Sequence, residues 1–474
     1  MTDRFSRGSG WRAAASLFAG VSALALVPAA AAAQAAPAAD TARATAPARP
    51  ETRVTLDEAV RRSLEASPTV AHSAGAVRTS EAGERSARGA FLPTLSANAS
   101  SSLSAEQQLG SQTGLSDGFA DSYGAGISAS VPVYTGGRRT AELRQARAET
   151  SAAEASLEAQ RYSVVLATKR TFYDVLRADD LIRVAESQVR RAEESLEAAE
   201  LRLRVGSATR SDVLRARLEL NDARQALAQA RSDREVASFA LGRAVGAPGP
   251  VAADQSEPLR PTPLAVPADS LVSLVTTQAP SVRAEAAGVT AAQAGMNAAR
   301  AQYRPTVTLG TGAGWANQDP ALDGGADWDL QLGVSIPIFD GYQREATVER
   351  ARVQADVARV QLADAERAAR AELERTLSAL RLAEQRIGLA EEAVQVAEED
   401  LRVQDQRYRM GSSTMLERLA SQTALTQAES DLVAARYDYQ LARAGLEGPA
   451  AAPEPQPLSQ RFRAELEALA GREV

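Results

Sequence analysis

Residues 131–139 read Val131-Pro132-Val133-Tyr134-Thr135-Gly136-Gly137-Arg138-Arg139, and residues 336–344 read Ile336-Pro337-Ile338-Phe339-Asp340-Gly341-Tyr342-Gln343-Arg344. In each, an apolar alternating run meets a glycine turn and then a polar, Ala-rich segment with helical spacing. The pair samples an internal repeat. Val205-Gly206-Ser207 corresponds to Met410-Gly411-Ser412 at the same offset of 205 residues. Upstream, Ala66-Ser67-Pro68 corresponds to Gln278-Ala279-Pro280 and Phe91-Leu92-Pro93 to Tyr303-Arg304-Pro305, at an offset of 212 residues. The second copy thus loses seven residues between its two strands. A loop is where such a loss is absorbed.

Each copy holds two strands of period two. Leu95, Ala97, Ala99, Leu103 and Ala105 oppose Ser96, Asn98, Ser100, Ser102 and Ser104. Tyr123, Ala125, Ile127, Ala129, Val131 and Val133 oppose Gly124, Gly126, Ser128 and Ser130. Val307, Leu309, Ala313 and Trp315 oppose Thr308, Gly310, Gly312 and Gly314. Trp328 to Ile338 alternates likewise against Asp329, Gln331, Gly333 and Ser335. A half-wet antiparallel sheet and a transmembrane β-barrel both satisfy this pattern. Aromatic residues (Phe91, Tyr134, Tyr303, Trp328, Phe339) gather at the strand ends, as at membrane interfaces, and favour the barrel. Four strands alone would leave two edges unpaired in lipid, so closure needs several chains. Two chains give eight strands and a filled interior; three give twelve and a wider lumen. The segments 106–122 and 316–327 are expected as external loops.

Each copy also carries a long helical hairpin. From Gly136-Gly137 to about Arg204 no Pro intervenes, which at 1.5 Å per residue is about 100 Å of helix. Val175, Ile182, Val189, Leu196 and Leu203 recur every seven, beside Ala178, Ala185, Ala192 and Ala199. In the second copy Leu382, Leu389, Val396, Val403 and Met410 form one such row, and Leu425, Leu432, Tyr439 and Leu446 another. Strict sevens mean coiled-coil packing, and these rows are read as coiled-coil core. Gly206 and Gly411 break the helices, each followed by Ser/Thr and an acid, Ser211-Asp212 and Thr414 to Glu417, that are expected to cap the returning helix.

The ends and joints complete the organisation. Residues 1–35 have Arg4, Arg7 and Arg12 before an apolar run and a small-x-small site at Ala33-Gln34-Ala35, a secretory signal peptide. Residues 36–53 read as a disordered lead-in, 54–246 as the first repeat (strands within 94–134, helical hairpin 138–246), and 247–267 as a Pro-rich connector. Residues 268–447 form the second repeat (strands within 306–339, hairpin 342–447) and 448–474 a linker and tail. Segments 55–90 and 268–302 carry helical patterns leading into the strands. The 474 residues include no Cys and one His, His72, which excludes disulfides, thiolate metal sites and His-based triads. A net charge of −7 argues against a nucleic-acid partner. No cofactor or metal is expected, and Gly310-x-Gly312-x-Gly314 opens no helix, so it is read as small lumen-facing positions.

Signal peptide, duplicated halves, two strands then a helical hairpin per half, and Val-Gly-Ser turns together resemble the TolC-like outer-membrane efflux protein family. The resemblance covers nearly all of 54–447 and is closest over Tyr408 to Ala435 (YRMGSSTMLERLASQTALTQAESDLVAA). It implies a mixed α/β membrane protein: a homotrimeric 12-stranded β-barrel, four strands per chain, continuous with a long α-helical coiled-coil barrel in the periplasm. The implied function is the outer-membrane channel of a tripartite efflux or type I secretion system. A periplasmic adaptor (membrane fusion protein) and an inner-membrane pump are the implied partners, with outer-membrane lipid around the barrel. Val205, Gly206, Ser207, Met410, Gly411 and Ser412 would form the adaptor-docking tip. Asp212 and Tyr408 match positions that hold the family's tip shut, and Glu417 matches the first acid of its constriction ring. The chain departs from the family pattern at Ser413, where an Arg is usual, and at Ala420, where a second acid is.

Two rivals set the alternatives. A periplasmic coiled-coil adaptor or envelope tether would carry one hairpin flanked by small β domains, against the four amphipathic strands here. An envelope enzyme working through carboxylates would need a paired acid site, and none stands out. The cargo is not encoded legibly.

Overall fold

A computed structural model describes residues 52–109, 115–254, 276–317 and 325–450. The signal peptide and most of the lead-in and C-terminal tail lie outside the described residues. The elements are β1 (Thr52–Val54), α1 (Leu56–Ala66), α2 (Pro68–Gly89), β2 (Thr94–Leu109), β3 (Leu115–Tyr134), α3 (Arg138–Arg204), α4 (Arg210–Ala244) and β4 (Val251–Ala253). There follow α5 (Pro280–Ala301), β5 (Thr306–Asn317), β6 (Gly325–Ser335), α6 (Gln343–Arg409) and α7 (Met415–Ala450). Helix, strand pair and helical hairpin thus occur twice in the same order. Helices α3 and α6 are each 67 residues long. Pro68 and Pro280 each start a helix at its first turn, where a missing N–H costs nothing.

Strands β2-β3-β5-β6 form one antiparallel sheet in that order, so β2 and β6 are open edges. The register puts the period-two residues of all four strands on common faces. Leu95, Ile127, Trp328, Leu330, Leu332 and Val334 share one face, each between 57% and 75% exposed. On the other face Ser96 and Ser128 hydroxyls meet at 2.8 Å and Ser102 and Ser122 at 2.7 Å. Glycines there leave room for polar neighbours: a Cβ on Gly312 would stand 2.6 Å from Asp329 Oδ1.

Several sequence expectations need correction. The stretch 106–122 is mostly strand: pairing runs out to Leu109 opposite Leu115, and in the second hairpin to Ala316 opposite Gly325. Backbone groups close a ladder whatever the side chains, so polar composition does not end a strand. Conversely the second copy's final strand stops at Ser335 rather than 339, and Ile338 is 91% exposed. In the first copy the matching residues up to Tyr134 are held by β5 across a bulge at Val133; Ile336 to Phe339 have no such neighbour. The lead-in and connector also contribute structure: β1 pairs in parallel with β4, Val54 opposite Ala253. Val54 and Val251 are anchored in a core with Phe172, Val175, Leu241 and Tyr437, and that burial holds the Pro-flanked strand.

The hairpins pack by small and large rows. Ala178, Ala185, Ala192 and Ala199 are all buried, as the seven-spacing requires. The second hairpin closes through Leu373, Leu377, Leu380, Ala383 and Ile387 against Ala435, Tyr439 and Leu446. The row Leu382, Leu389, Val396, Val403 and Met410 is therefore not core of this chain. All five are exposed, from 36% to 75%, because α7 covers the adjacent face of α6. Across the first hairpin Glu186, Glu193 and Glu200 pair with Arg231, Arg224 and Arg217, which sets register between helices rather than within one. Each such exposed pair contributes about 0–1 kcal/mol.

Candidate functional site

The two hairpin ends are built alike. Gly206 and Gly411 adopt φ of 76° and 77°, the left-handed conformation that glycine takes without penalty. Gly206 N donates to Leu203 O and Ser207 N to Arg202 O; Gly411 N donates to Tyr408 O and Ser412 N to Arg407 O. These paired bonds satisfy the last carbonyls of each long helix. Val205 and Met410 stand 71% and 75% exposed at the turns, with Leu201, Leu214 and Leu416 exposed beside them.

Asp212 and Glu417 cap the returning helices. Asp212 Oδ2 accepts from Thr209 N at 3.0 Å and Thr209 Oγ1 at 2.8 Å, while Asp212 N donates to Thr209 Oγ1. Glu417 Oε2 accepts from Ser413 Oγ at 2.6 Å and Thr414 N at 3.0 Å, and Glu417 N donates to Thr414 Oγ1. The Ser413 hydroxyl and then the Thr414 amide hold Glu417 below the usual carboxylate range, so it stays ionised at neutral pH. Ser413, standing where an Arg was expected, thus supports the cap.

Tyr408 is buried with Ala199, Val213, Ala216 and Met415. Its hydroxyl has no hydrogen-bond partner among the described residues. The structure brings Tyr408 beside Val213 but forms no bond from Tyr408 to Asp212, whose carboxylate is taken up by its own cap. What holds Tyr408 instead is cationic: the Arg202 guanidinium lies 4.2 Å from its ring centroid and that of Arg418 5.8 Å.

Sequence reasoning missed the residues that tie the two hairpins together. Arg202 Nη2 donates to Arg409 O at 2.7 Å. Arg418, only 9% exposed, pairs with Asp405 on α6 and donates from Nη1 to Ser195 Oγ on α3 at 2.5 Å. Higher up, Arg191 forks onto Glu429 at 2.9 and 3.1 Å and reaches Thr426 Oγ1 at 3.1 Å. Tyr437 donates to Asp180 Oδ2 at 2.7 Å, and burial pushes its phenol up to about 12. From Asp180 to Arg202 this ladder of ties follows α3 for about 33 Å. A signal was present: α7 positions 418, 421 and 422 continue the buried row of Leu425 and Ala428 but carry Arg, Ser and Gln. A polar break in a coiled-coil seam marks specificity or a switch. Gln422 is 1% exposed with neither amide atom partnered among the described residues.

None of the described helices is long and apolar enough to cross a membrane. Among the described residues no group of three or more His, Cys, Asp or Glu is arranged to hold a metal ion.

Comparison with known proteins adds a second line. A family model described as "Outer membrane efflux protein" matches residues 59–247 and 271–449. Protein CyaE of Bordetella pertussis is 28% identical over 410 residues, covering 83% of this chain and 81% of that protein. Outer membrane protein TolC of Escherichia coli is 32% identical over 168 residues, 34% of each chain. The Campylobacter jejuni CmeC outer membrane channel superposes with a TM-score of 0.76 at 17% identity, covering 86% of this chain and 89% of that one, which is a likeness of fold.

Proposed function

The chain belongs to the outer membrane efflux protein family, and from that premise we propose that three copies form a closed export channel. Four strands from each copy make a twelve-stranded barrel in the outer membrane, and the helical hairpins continue it as a tunnel in the periplasm. The channel passes substrates delivered by an inner-membrane pump and a periplasmic adaptor, as in tripartite efflux or type I secretion. The protein performs no chemical conversion; transport needs only a water-filled path.

One observation carries this reading: a sheet with one face that exposes Leu95, Ile127, Trp328, Leu330, Leu332 and Val334, an opposite face of Ser, Gly, Asn and Asp, and two unpaired edges. Lipid suits the first face and water the second. The open edges require further strands if the sheet is to lie in hydrocarbon. The helical part supports the same arrangement. The exposed α6 row Leu382, Leu389 and Val396 and the exposed Leu214, Leu218, Val236 and Phe239 of α4 lie on different hairpins. Two unlike apolar stripes joined head to tail close a ring.

The gate lies at the hairpin ends. Asp212, Tyr408 and Glu417 sit there, and the ties from Arg202 and Arg418 hold the second hairpin against the first. Three Glu417 carboxylates around an axis would favour cations in a narrow passage. Val205, Gly206, Ser207, Met410, Gly411 and Ser412 present the exposed turns to which an adaptor's helices dock. The testing measurement is the mass of the complex extracted from outer membranes in mild detergent. Three mature chains of roughly 46 kDa each, after removal of the signal peptide, are expected. A soluble monomer would overturn the reading.

A further inference from the structure

Helices α3 and α7 run antiparallel, and their polar contacts form rungs. Arg418 of α7 meets Ser195 of α3, and Thr426 and Glu429 of α7 meet Arg191 of α3. Gln422 falls between these rungs on the same face of α7, four residues after Arg418 and four before Thr426. It is 1% exposed, so its amide is closed off from water where the second hairpin meets the first. Its neighbours have no bond to give it. Thr426 Oγ1 donates to the Gln422 backbone carbonyl and accepts from Arg191, and Ser421 Oγ donates to Asp400.

Tyr408, lower on the same seam, is in the same position. The Asp212 carboxylate is taken up by the Thr209 cap. Arg202 donates to Arg409 O, and Arg418 is engaged by Asp405 and Ser195. Among the described residues, the buried side-chain polar atoms without a hydrogen bond are Gln422 Oε1 and Nε2, the Tyr408 hydroxyl and Arg191 Nε. All of them belong to the contact between the two hairpins. The fold does not demand them. At the repeat offset of 205 residues, Gln422 corresponds to Arg217, which is exposed and paired with Glu200, and Tyr408 corresponds to Leu203. Arg418 and Ser421 correspond to Val213 and Ala216, which are buried and apolar.

We propose that Gln422 and Tyr408 are opening residues of the gate: their polar atoms are stranded when the hairpins lie together and hydrated when they part. A buried donor or acceptor that has lost water and found no partner penalises the conformation that buries it. Joining the hairpins strands these atoms, and separating them returns the atoms to water. The Arg418–Ser195 and Arg191–Glu429 ties pull the other way. Ties and stranded groups on one seam bring the two conformations close in free energy, so a modest added contact shifts the population. The inference rests on the gate reading above and deepens it. Its sign is opposite to the one that the resemblance implies for Tyr408, which matches a position that holds the family's tip shut.

Single-channel recording of the full-length complex in planar bilayers tests it, with the frequency of openings as the readout. Tyr408→Phe removes one oxygen and keeps the ring against which Arg202 lies. Gln422→Leu removes both stranded amide atoms. Each variant is expected to open at least fivefold less often than wild type, the lower end of the cost of one stranded polar atom. Arg418→Leu, which cuts a tie, is expected to open more often. Openings as frequent as wild type, or more frequent, in both Tyr408→Phe and Gln422→Leu overturn the inference. If Arg418→Leu is raised in that case, the gate reading stands without it. If all three variants match wild type, the gate reading falls as well.

Discussion

Replacing Arg418 by Leu should loosen the end of the channel more than it loosens the chain. Besides lying 5.8 Å from the Tyr408 ring of its own hairpin, the guanidinium makes two polar contacts. Its ion pair with Asp405 joins α6 to α7 inside one hairpin, and its bond to Ser195 joins α7 to α3 across hairpins. Asp405 keeps about 29% of its side chain exposed and has Arg409 at 3.4 Å, so it remains partly solvated and partnered. Its loss costs less than the 3–5 kcal/mol of breaking a fully buried pair. Ser195 is fully buried, and stranding its hydroxyl costs about 1–3 kcal/mol. Only this second cost acts between hairpins. At about 1.4 kcal/mol it shifts the hairpin equilibrium about tenfold in each copy. Single-channel recording in planar bilayers should show open probability rising at least tenfold in Arg418→Leu. Ser195→Ala, which removes only the cross-hairpin bond, should give an increase of similar sign with a smaller loss of melting temperature. Unchanged open probability in both variants, with the mass of the complex unaltered, would refute the tie as a closure.

Four further outcomes follow from the geometry. Glu417→Ala should weaken block of channel current by a trivalent cation several-fold, and identical titrations for variant and wild type would sink the lumen role of Glu417. Gly136→Ala should destabilise strongly, because its Cβ would stand 2.5 Å from Arg304 Cβ and 2.9 Å from Ala301 O at a φ of 65°. Gly206→Ala meets no neighbour within 4 Å, so only the left-handed backbone cost of about 1–2 kcal/mol applies; comparable melting-temperature losses for the two would contradict this. Tyr437 is raised by burial to about 12, so its contribution is full below pH 10 and is lost as pH rises from 10 to 12; alkaline melts of Tyr437→Phe should lack that fall. Gln422→Leu should raise the melting temperature, since it removes two buried unpartnered polar atoms at about 1–3 kcal/mol each, and a lower melting temperature would show that the amide is satisfied.

Period was the most legible property. The two helices of 67 residues end within a residue or two of their glycine turns because an uninterrupted Ala-rich run has no reason to stop earlier. The faces of the four strands followed from alternation alone. Strand ends differ from the sequence expectation in both directions for one reason: a strand lasts as long as its neighbour does. Residues 106–109 and 115–122 stay in strand on backbone pairing despite their polarity. Ile336 to Phe339 leave it despite being apolar, because β6 is an edge. In the site, the Thr414–Glu417 cap was readable from Thr-x-x-acid spacing, whereas at the first turn the sequence pointed to Ser211 beside Asp212 and the structure caps the helix with Thr209. The cation contacts on Tyr408 were not readable, because Arg202 and Arg418 reach it from elsewhere in the chain.

The sequence by itself determined the repeat, the strand faces, the helix lengths and the turns at Gly206 and Gly411. Each of these depends on residues a few positions apart, or on the comparison of one half with the other. Only the tertiary structure decided which seven-spaced row is core. Leu380 and Leu382 are equally apolar and two residues apart, yet one is 5% exposed and the other 49%. A helix can present several apolar rows, and the choice among them is made by where the neighbouring helix lies. The polar ties from Arg418 to Ser195 and from Arg191 to Glu429 arise in the same way, between residues more than 200 positions apart that only packing brings within 3 Å.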